Sequence, residues 1–355
     1  MVSNILVKIL LIPFSILYGL GVSFRNFLYE AEIIKPSKFS LPIISIGNLS
    51  IGGAGKTPHI EYLVRLLSPY IDLAVLSRGY NRQTSGFRFV SPHDTALVSG
   101  DEPLMYARKF PNLPVAVCEN RAIGIPQLVT KYPQLQGILL DDAFQHRSVF
   151  PFINILLTPF DAPYTKDFLM PSGRLREGRW AAKRANAIII SKCPENLTEE
   201  QRAKFIAEIK PKKNQDIFFS KYKYSPIYHF YQPGYNMEIG PNDHVILISA
   251  IANTEYLTRY IASKAKNLID IPYADHHNFI IDDILSIIKI FKETMAERKY
   301  VLTTEKDAVR LMPFRQQLYD AQIPVFVLPI EVEFIGQDKD KFDLYIKNEL
   351  MKFER

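Results

Sequence analysis

Cysteine is scarce in this sequence, and repeats and low-complexity tracts are missing from it. Only two cysteines, Cys118 and Cys193, occur among the 355 residues, and they do not form a C-x-x-C motif. This usage argues against a disulfide framework, so both cysteines are expected to be reduced core residues of a cytoplasmic protein. The absence of repeats and of biased tracts leaves an ordinary globular chain.

Length and charge indicate the number of domains and the kinds of partner that the chain could bind. A chain of 355 residues is too long for one typical core, which predicts two domains. With 47% hydrophobic and 23% charged residues, the composition is that of a folded protein. The net charge of +6 and the sequence pI near 9.0 would suit a nucleic acid, an anionic membrane or a phosphorylated substrate.

The stretch from Leu41 to Thr57 has the form of a phosphate-binding loop. An apolar run, which predicts a buried strand, leads into clustered glycines and ends in Lys56 and Thr57. Backbone N–H groups of small residues can turn onto phosphate oxygens, the lysine adds positive charge, and the threonine hydroxyl can bind Mg²⁺. An amphipathic helix should begin near Pro58, with its N-terminus directed at the phosphates. Ser50 replaces the first glycine of the strict motif, but nucleotide binding remains favoured over an ordinary strand-to-helix turn.

Further apolar runs have the length of buried strands and alternate with segments of helical or turn character. This alternation predicts a doubly wound, mostly parallel α/β sheet of the P-loop NTPase type, with ligands at the carboxyl ends of its strands. The runs cover residues 73–76, 114–118, 137–140, 153–157 and 187–190.

The pattern changes over residues 217–235, which are aromatic and interrupted by proline. We therefore expect an inter-domain linker there. It would separate a core domain over 29–216 from a smaller α/β domain over 236–355. The expected strands of the second domain are 245–249, 300–302 and 325–328.

Residues 1–28 are expected to form an apolar, membrane-associated helix. Between Ile5 and Phe24 the only charged residue is Lys8, and no cleavage site of a signal peptide follows. A helix lying in the membrane interface fits this pattern, with its narrow polar edge directed toward water, although ~20 apolar residues could also span a bilayer. Pro13 weakens a straight span, so we favour peripheral attachment. The polar edge consists of Asn4, Lys8, Ser15 and Asn26.

Several polar groups could carry chemistry, and each also has a structural interpretation. Asp141 and Asp142 follow an apolar strand, where an aspartate can hold Mg²⁺ or only cap a turn. Asp101 opens a helix and could be an N-cap or a base toward a substrate hydroxyl. His276 lies in a polar turn without metal-ligand spacing and could simply be exposed. The five basic residues between 174 and 184 form either a solvated face or an anion-binding patch.

Seven motifs follow one another along the chain: GNLSIGGAGKTP from Gly47, SRGY from Ser77, GDEP from Gly100, DDAFQH from Asp141, PSGRLRE from Pro171, DHHNF from Asp275 and TEKDA from Thr304. In this order they resemble the motifs of the tetraacyldisaccharide 4'-kinase family, and the resemblance runs from the N-terminal helix to about Leu311. The family consists of membrane-associated, ATP-dependent kinases that phosphorylate the lipid A disaccharide precursor. Ala143 and Gly178 depart from the family pattern, where glycine and proline are usual, and both concern loop shape.

The resemblance implies a role for most of these residues. Asp101, assisted by His276, would take the proton from the sugar 4'-hydroxyl as it attacks the γ-phosphate of ATP, while Lys56 stabilises charge. ATP and Mg²⁺ are the implied cofactors, and lipid A disaccharide 1-phosphate is the implied glycolipid substrate. The implied nucleotide-binding residues are Ser50, Ile51, Gly52, Gly53, Ala54, Gly55, Lys56 and Thr57; the implied metal ligands are Thr57, Asp141 and Asp142; the implied substrate contacts are Glu102, Asn120, Arg121, Gln145, Arg176 and Glu177.

The implied location is the cytoplasmic face of the bacterial inner membrane, with the membrane surface as a partner and with neither nucleic acid nor an obligate protein partner. Two other functions compete with this interpretation. A membrane-tethered ATPase switch of the partition or insertion type also has such a loop and helix, but it does not need a second, substrate-binding domain. A soluble small-metabolite kinase would not explain the N-terminal helix. Dependence of ATP turnover on an added glycolipid acceptor would discriminate among them.

Overall fold

The computed structural model describes residues 5–354, whose strands form two separate sheets. In chain order, the elements up to residue 224 are α1 (Ile5–Leu10), α2 (Ile12–Glu30), β1 (Ile43–Asn48), α3 (Lys56–Leu67), β2 (Leu73–Ser77), β3 (Arg88–Phe89), α4 (Ala96–Ser99), α5 (Asp101–Lys109), β4 (Val115–Val117), α6 (Arg121–Lys131), β5 (Gly137–Asp141), β6 (Ile153–Pro159), β7 (Ala187–Ser191), α7 (Glu199–Ile209) and β8 (Asp216–Tyr224).

The remaining elements begin three residues after β8. They are β9 (Ile227–His229), β10 (Asn236–Met237), β11 (His244–Ser249), α8 (Glu255–Ala262), β12 (Asn267–Pro272), α9 (Ile281–Glu293), β13 (Lys299–Thr304), α10 (Glu305–Leu311), α11 (Arg315–Asp320), β14 (Val325–Leu328), β15 (Ile330–Phe334) and α12 (Asp338–Met351). Short 3-10 helices cover Tyr164–Lys166, Arg179–Arg184 and Met312–Phe314.

The larger sheet has the order β15-β8-β7-β6-β1-β5-β2-β4-β3 within the described residues. All its neighbouring strands pair in parallel except β3 with β4 and β15 with β8. Both faces of β1 are covered, because Ile44 packs in the cluster that contains α3, whereas Ile43 packs in the cluster that contains α6. The expected large, mainly parallel α/β sheet is confirmed.

Parallel pairing brings the carboxyl ends of the central strands to one edge of this sheet. In the register of β1 with β5, Ile46 pairs with Asp141, so Asn48 lies just beyond the end of β5. The loop after β1 therefore emerges next to the carboxylates that follow β5. This arrangement follows from the topology and explains why motifs that begin at Gly47 and at Asp141 meet in one site.

The second sheet is the core of a smaller domain. Its order is β10-β9-β14-β13-β11-β12, and the four strands from β14 to β12 are parallel. Apolar residues of β11 alternate between two clusters, with Ile246 and Ile248 on one face and Val245 and Leu247 on the other. A buried sheet with helices on both faces results.

The stretch 217–235 is not a linker, which corrects the expected domain boundary. Residues 216–224 form β8 of the larger sheet, and residues 227–229 form β9 of the smaller sheet. Most of the aromatic residues are strand positions: Phe218 packs in the core of the larger domain and Phe219 is also buried. The chain therefore passes between the domains at residues 225–226.

The expected second domain, 236–355, is also too long at its C-terminal end. Strand β15 pairs with β8 of the larger sheet, and α12 packs on the same domain. The chain therefore returns to the larger domain after β14. Val332 and Phe334 alternate with Glu331 and Glu333 along β15, and the apolar pair enters the larger core. Alternation of this kind is the signal of a half-buried strand, here one that lies far in sequence from its partners.

Helix α2 contacts the protein with its part of the polar edge, whereas we expected that edge to face water; Lys8 of α1 is exposed. Ser15 and Asn26 are buried, and the Ser15 hydroxyl donates to the carbonyl of Leu169 at 3.1 Å. Exposed apolar side chains cover the opposite side of α2. Asn4 lies outside the described residues, and no helix within residues 5–354 is long and apolar enough to cross a membrane.

Candidate active site

A cleft of about 760 Å³ opens between the two domains at the carboxyl edge of the larger sheet. The first domain supplies the loop after β1 and the residues that follow β2, β5 and β7. The second domain supplies the turn after β12 and the first turn of α10. The predicted site residues on the wall are Ile51, Gly52, Gly53, Ala54, Gly55, Lys56, Thr57, Glu102, Arg121, Asp142, Gln145, Arg176 and His276.

The loop after β1 is held in a defined shape. Gly55 has φ +84°, a left-handed conformation that glycine adopts without strain, and α3 begins at the next residue. Ser50 is buried and forms a bridge with Leu175, and the amide of Ile51 donates to the carbonyl of Arg174 at 2.8 Å. Ser50 therefore replaces a motif glycine at a position where the backbone pairs with a neighbouring segment.

Lys56 lies in a network of polar groups at the end of β1. Its ammonium donates to Asn48 Oδ1 at 3.2 Å and lies 3.6 Å from Asp142 Oδ2. Arg176 binds Asp142 through two N–H groups, at 2.9 and 3.1 Å. Burial alone would raise the pKa of Asp142, but the charges of Lys56 and Arg176 hold it well below its usual range. This carboxylate is therefore ionised at neutral pH.

Asp141 lies directly behind the wall and is fully buried. Its Oδ2 accepts from Tyr106 at 3.2 Å and from Ser77 at 3.4 Å. Its Oδ1 has no hydrogen-bond partner among residues 5–354. Burial, together with the charges of Glu102 and Asp142, raises the pKa of Asp141 to about 7. A nearby cation would stabilise the ionised form.

Asp101 and His276, which belong to different domains, are in direct contact. His276 Nδ1 lies 3.0 Å from Asp101 Oδ2, and the same oxygen accepts from Arg310 Nη2 at 2.7 Å and Nε at 3.0 Å. The backbone amide of Glu102 donates to Asp101 Oδ1 at 2.9 Å. Burial would raise the pKa of Asp101, but the charges of Lys306 and Arg310 and the contact with His276 outweigh it and hold the pKa well below its usual range.

The other predicted residues lie at different depths. Arg121 is almost fully buried on the wall and donates to the backbone carbonyl of Asp141 at 3.0 Å. Gln145 donates to the carbonyl of Asn48 at 2.9 Å. Asn120 caps α6 by accepting from its own helix. The residues that lie behind the wall or to one side of it are Ser50, Asp101, Asn120, Asp141 and Glu177.

Glu177 is fully buried beside the wall. It accepts from Arg25 of α2 at 3.0 Å and from Arg184 at 2.6 Å. Arg25 itself lies on the cleft wall, so Glu177 fixes the end of the N-terminal helix against the cleft. Glu177 therefore makes a positioning contact, and its contact with the disaccharide stays a prediction.

Several wall residues have strained backbones. Asp142, Lys192 and His276 have φ between +47° and +60°, and Asn81, also on the wall, has φ +58°. Left-handed conformations are uncommon for residues with a side chain and concentrate at functional sites. Their clustering here supports the cleft as the functional site.

Lys306 and Arg310 of α10 were not assigned a role from the sequence. Lys306 donates to Glu102 Oε1 at 3.0 Å and contacts His276 Nε2 at 3.2 Å. Their spacing of four residues in Lys306-Asp307-Ala308-Val309-Arg310 puts both cations on one helix face, which is a signal present in the sequence. The sequence alone does not show that this helix faces Asp101, so the spacing did not assign a role to either residue.

Comparison with known proteins matches nearly the whole chain to one family. A family model described as "LpxK: Tetraacyldisaccharide-1-P 4'-kinase" matches residues 7–351. The tetraacyldisaccharide 4'-kinase of Flavobacterium johnsoniae is 42% identical over 354 residues, covering 98% of this chain and 99% of the relative. That of Bacteroides thetaiotaomicron is 38% identical over 348 residues, covering 95% and 91%.

A solved structure extends the likeness to three dimensions. It is described as a crystal structure of "apo" form LpxK from Aquifex aeolicus in complex with ATP, and it has a TM-score of 0.72 and 28% sequence identity. The match covers 96% of this chain and 99% of that chain. Both domains and their connections are therefore included in the likeness.

Proposed function

We propose that the γ-phosphate of ATP passes to the sugar 4'-hydroxyl in the interdomain cleft, since the chain belongs to the tetraacyldisaccharide-1-P 4'-kinase family. The protein is an ATP-dependent kinase of lipid A biosynthesis. The acceptor is a tetraacyl glucosamine disaccharide 1-phosphate. The observation that carries this proposal is the contact of Asp101 with His276 across the domains, in the same cleft as Lys56. The alternative of a membrane-tethered ATPase switch is not favoured.

Asp101 and His276 accept the proton as a pair. The low pKa of Asp101 keeps the carboxylate ionised, and its Oδ2 orients the ring of His276 through Nδ1. A charged carboxylate fixes the tautomer and stabilises the proton that the pair receives. Removal of the proton makes the 4'-oxygen a better nucleophile as it approaches the γ-phosphorus.

The loop amides and Lys56 bind the phosphates of ATP. The start of α3 directs its unpaired N–H groups and the positive end of its dipole toward the cleft, which suits an anion. Glu102, Arg121, Gln145 and Arg176 are on the wall and available to the disaccharide and its phosphate, whereas Asn120 and Glu177 act by positioning their neighbours.

Thr57, Asp141 and Asp142 would hold Mg²⁺ together with the phosphates of ATP. The residues fit this ion, because the buried Asp141 Oδ1 lacks a hydrogen-bond partner among residues 5–354 and all three side chains offer oxygen ligands. The described part of the chain has no group of three His, Cys, Asp or Glu side chains that would hold a metal without a substrate. When bound, Mg²⁺ neutralises charge on the phosphates.

The N-terminal helices attach the enzyme to the cytoplasmic face of the inner membrane. Ile16, Leu17, Leu20 and Phe24 of α2 are each more than half exposed, while Arg25 of the same helix reaches the cleft. An apolar surface next to the active site suits a substrate whose acyl chains stay in the bilayer.

Transfer of radiolabelled γ-phosphate to lipid A disaccharide 1-phosphate tests the assignment. The wild-type protein should require the glycolipid for ATP turnover, and Lys56→Ala should abolish transfer while circular dichroism shows an intact fold. Lys339→Ala, which removes an exposed lysine of α12, is the control and should be as active as the wild type. ATP turnover that is independent of glycolipid, or normal transfer by Lys56→Ala, would contradict the proposal.

A further inference from the structure

We propose that Lys306, from the second domain, brings a second positive charge to the phosphoryl group during transfer and so complements Lys56 of the first domain. This inference rests on the proposed function and adds a residue to it. Lys306 lies on the cleft wall, in the first turn of α10. It contacts both Glu102 and His276 there.

The position of the ammonium follows from the position of the proton-accepting pair. The attacking hydroxyl must lie within hydrogen-bond reach of Asp101 or His276, and the γ-phosphorus must lie next to that hydroxyl. Lys306 Nζ is 3.2 Å from His276 Nε2 and 3.9 Å from Asp101 Oδ2. Any substrate pose that serves the pair therefore puts the phosphoryl group near this ammonium.

Lys306 also has a donor to offer. An ammonium carries three N–H groups, and within residues 5–354 the hydrogen bonds to Glu102 and His276 use two of them. The third can meet a phosphoryl oxygen, and the N–H group that contacts Nε2 is released when the substrate hydroxyl takes its place at that nitrogen. The side chain is 18% exposed, and its exposed part faces the cleft.

The backbone that carries Lys306 is fixed to both domains. One turn further along α10, Arg310 binds Asp101 and also donates to the carbonyls of Ala250 and His277, each at 3.2 Å. At the start of the helix, Thr304 accepts from the amide of Asp307. An ammonium on so constrained a helix is preorganised, which is what electrostatic stabilisation of a transition state requires.

Lys306 stays charged in this environment. Burial would lower the pKa of Lys306, but the carboxylates of Glu102 and Asp101 outweigh it and raise the pKa above its ordinary value. The cation is therefore present at every pH at which the kinase would be assayed.

The charge that Lys306 stabilises arises in one displacement. The 4'-oxygen forms a bond to the γ-phosphorus while the bond from that phosphorus to the β,γ-bridging oxygen breaks, and ADP leaves with the electron pair. The proton of the hydroxyl passes to the Asp101–His276 pair, and Lys306 forms no covalent bond. Negative charge on the transferring oxygens is where positioned cations act in phosphoryl transfer.

Two narrower roles are compatible with the same contacts. Lys306 could serve only to fix the tautomer of His276, since a donor at Nε2 requires the proton to be on Nδ1. It could also serve only to neutralise Glu102. Both roles act through another residue, so double substitutions separate them from direct action on the phosphoryl group.

The first experiment compares single variants of the full-length enzyme with the glycolipid in detergent micelles. Lys306→Met should lower kcat by about 10² to 10³-fold, with ATP affinity, measured by equilibrium binding, little changed. Lys306→Arg should recover much of the loss, because it keeps the charge. Lys289→Met, at an exposed lysine of the same domain, should be fully active. An unchanged kcat in Lys306→Met would overturn the proposal, and circular dichroism on both Lys306 variants verifies the fold.

The second experiment repeats Lys306→Met in two backgrounds. The loss should persist in His276→Ala and in Glu102→Gln if the ammonium acts on the phosphoryl group. If Lys306→Met causes no further loss of kcat in the His276→Ala background, Lys306 acts only by positioning His276. If Lys306→Met regains activity in the Glu102→Gln background, Lys306 acts only as the counter-ion of Glu102. Failure of the wild type to phosphorylate the glycolipid would instead reject the proposed function, so the two failures are distinguishable.

Discussion

Asp101 has an unusual environment for a residue that takes part in proton removal. Its Oδ2 receives two N–H groups of Arg310 and contacts His276, and its Oδ1 receives a backbone amide. A carboxylate so fully satisfied is a weak base by itself, because each donor stabilises its charged form. Its function is therefore inseparable from His276, and the two should behave as one unit.

Substitutions at Asp101 and His276 test this unit. Asp101→Asn keeps the shape of the side chain, so Arg310 keeps a polar neighbour. The substitution should lower kcat by about 10² to 10⁴-fold. His276→Ala should lower kcat by a smaller factor, and the double variant should lose less than the product of the two. His93→Ala, at an exposed histidine outside the cleft, is the control. Multiplicative losses in steady-state kcat would mean that the two residues act separately.

The pH dependence of the same variants gives an independent check. The folded-state pKa of Asp101 is depressed, so the stabilising charge is present above the ordinary aspartate pKa and is lost only as the pH falls toward the depressed value. The acidic limb of the kcat profile of the wild type should therefore not come from Asp101. Asp101→Asn should lower the whole profile and leave an acidic limb in place, and disappearance of the limb in this variant would show that Asp101 itself titrates.

Most of the site residues predicted from the sequence lie on the wall, but the groups that hold Asp101 were not predicted. Lys56 and Asp142 follow from local motifs, because a loop and a strand end act within a few residues of their own sequence. Arg310 lies 209 residues from Asp101, and its contact depends on how the two domains meet. Local patterns do not contain that information.

The N-terminal helices combine protein packing with an exposed apolar face. Ser15 contacts the backbone of Leu169, and the Tyr18 hydroxyl donates to the carbonyl of Arg176 at 2.8 Å. Deleting the segment would therefore disturb the wall of the cleft as well as any membrane contact. Substitutions on the outer face separate the two effects.

Leu17→Glu with Leu20→Glu should release the protein from membranes. Both side chains are more than 60% exposed, and a charge on that face opposes contact with the bilayer. Pelleting with vesicles should fall and the apparent KM for vesicle-embedded glycolipid should rise, while the KM for ATP is unchanged. Leu344→Glu, at an exposed leucine of α12, should have no effect. Retained pelleting and an unchanged lipid KM in the double variant would contradict membrane contact through this face.

The elements of the larger sheet show where sequence patterns succeed. Strands β1, β2, β5 and β7 lie in the expected runs because each is buried on both faces and therefore continuously apolar. Strand β8 was missed because aromatic residues and lysines alternate along it, and because a proline follows it. It pairs with β7 on one side and, on the other, with β15, more than 100 residues later.

Two passages of the chain connect the domains, one after β8 and one between β14 and β15. Contacts beside these passages couple the domains further: Tyr224 of β8 stacks on Tyr260 of α8 with ring centroids 3.9 Å apart. The domains are therefore joined by two chain passages and an aromatic contact, and residues beside the second passage line the cleft. The charge cluster that lies across the interface should then influence the stability of the whole molecule.

Lys109 is the centre of that cluster. Its ammonium lies 2.8 Å from Glu61 of α3 and 2.7 Å from Glu305 of the second domain. Burial is the main cause that raises the pKa of Glu61 to about 7, with Glu305 adding to it. A carboxyl whose pKa is raised on folding contributes stability that is fully present below its unfolded pKa and is lost as the pH rises through the folded value.

Lys109→Met should lower the free energy of unfolding by about 3 to 5 kcal/mol near neutral pH, because it leaves two carboxylates without their shared cation. The loss should shrink toward pH 5, where Glu61 is protonated, and grow toward pH 8, where it is ionised. Denaturant unfolding measures this loss when it is followed by the fluorescence of Trp180, the single tryptophan, which is part of the larger domain.

Lys339→Met, at an exposed ion pair of α12, is the control and should be nearly neutral at both pH values. Adding Glu61→Gln to Lys109→Met should flatten the pH dependence. An equal loss at pH 5 and pH 8 would mean that Glu61 does not titrate in this cluster, and that the cation between the domains stabilises the molecule only through Glu305.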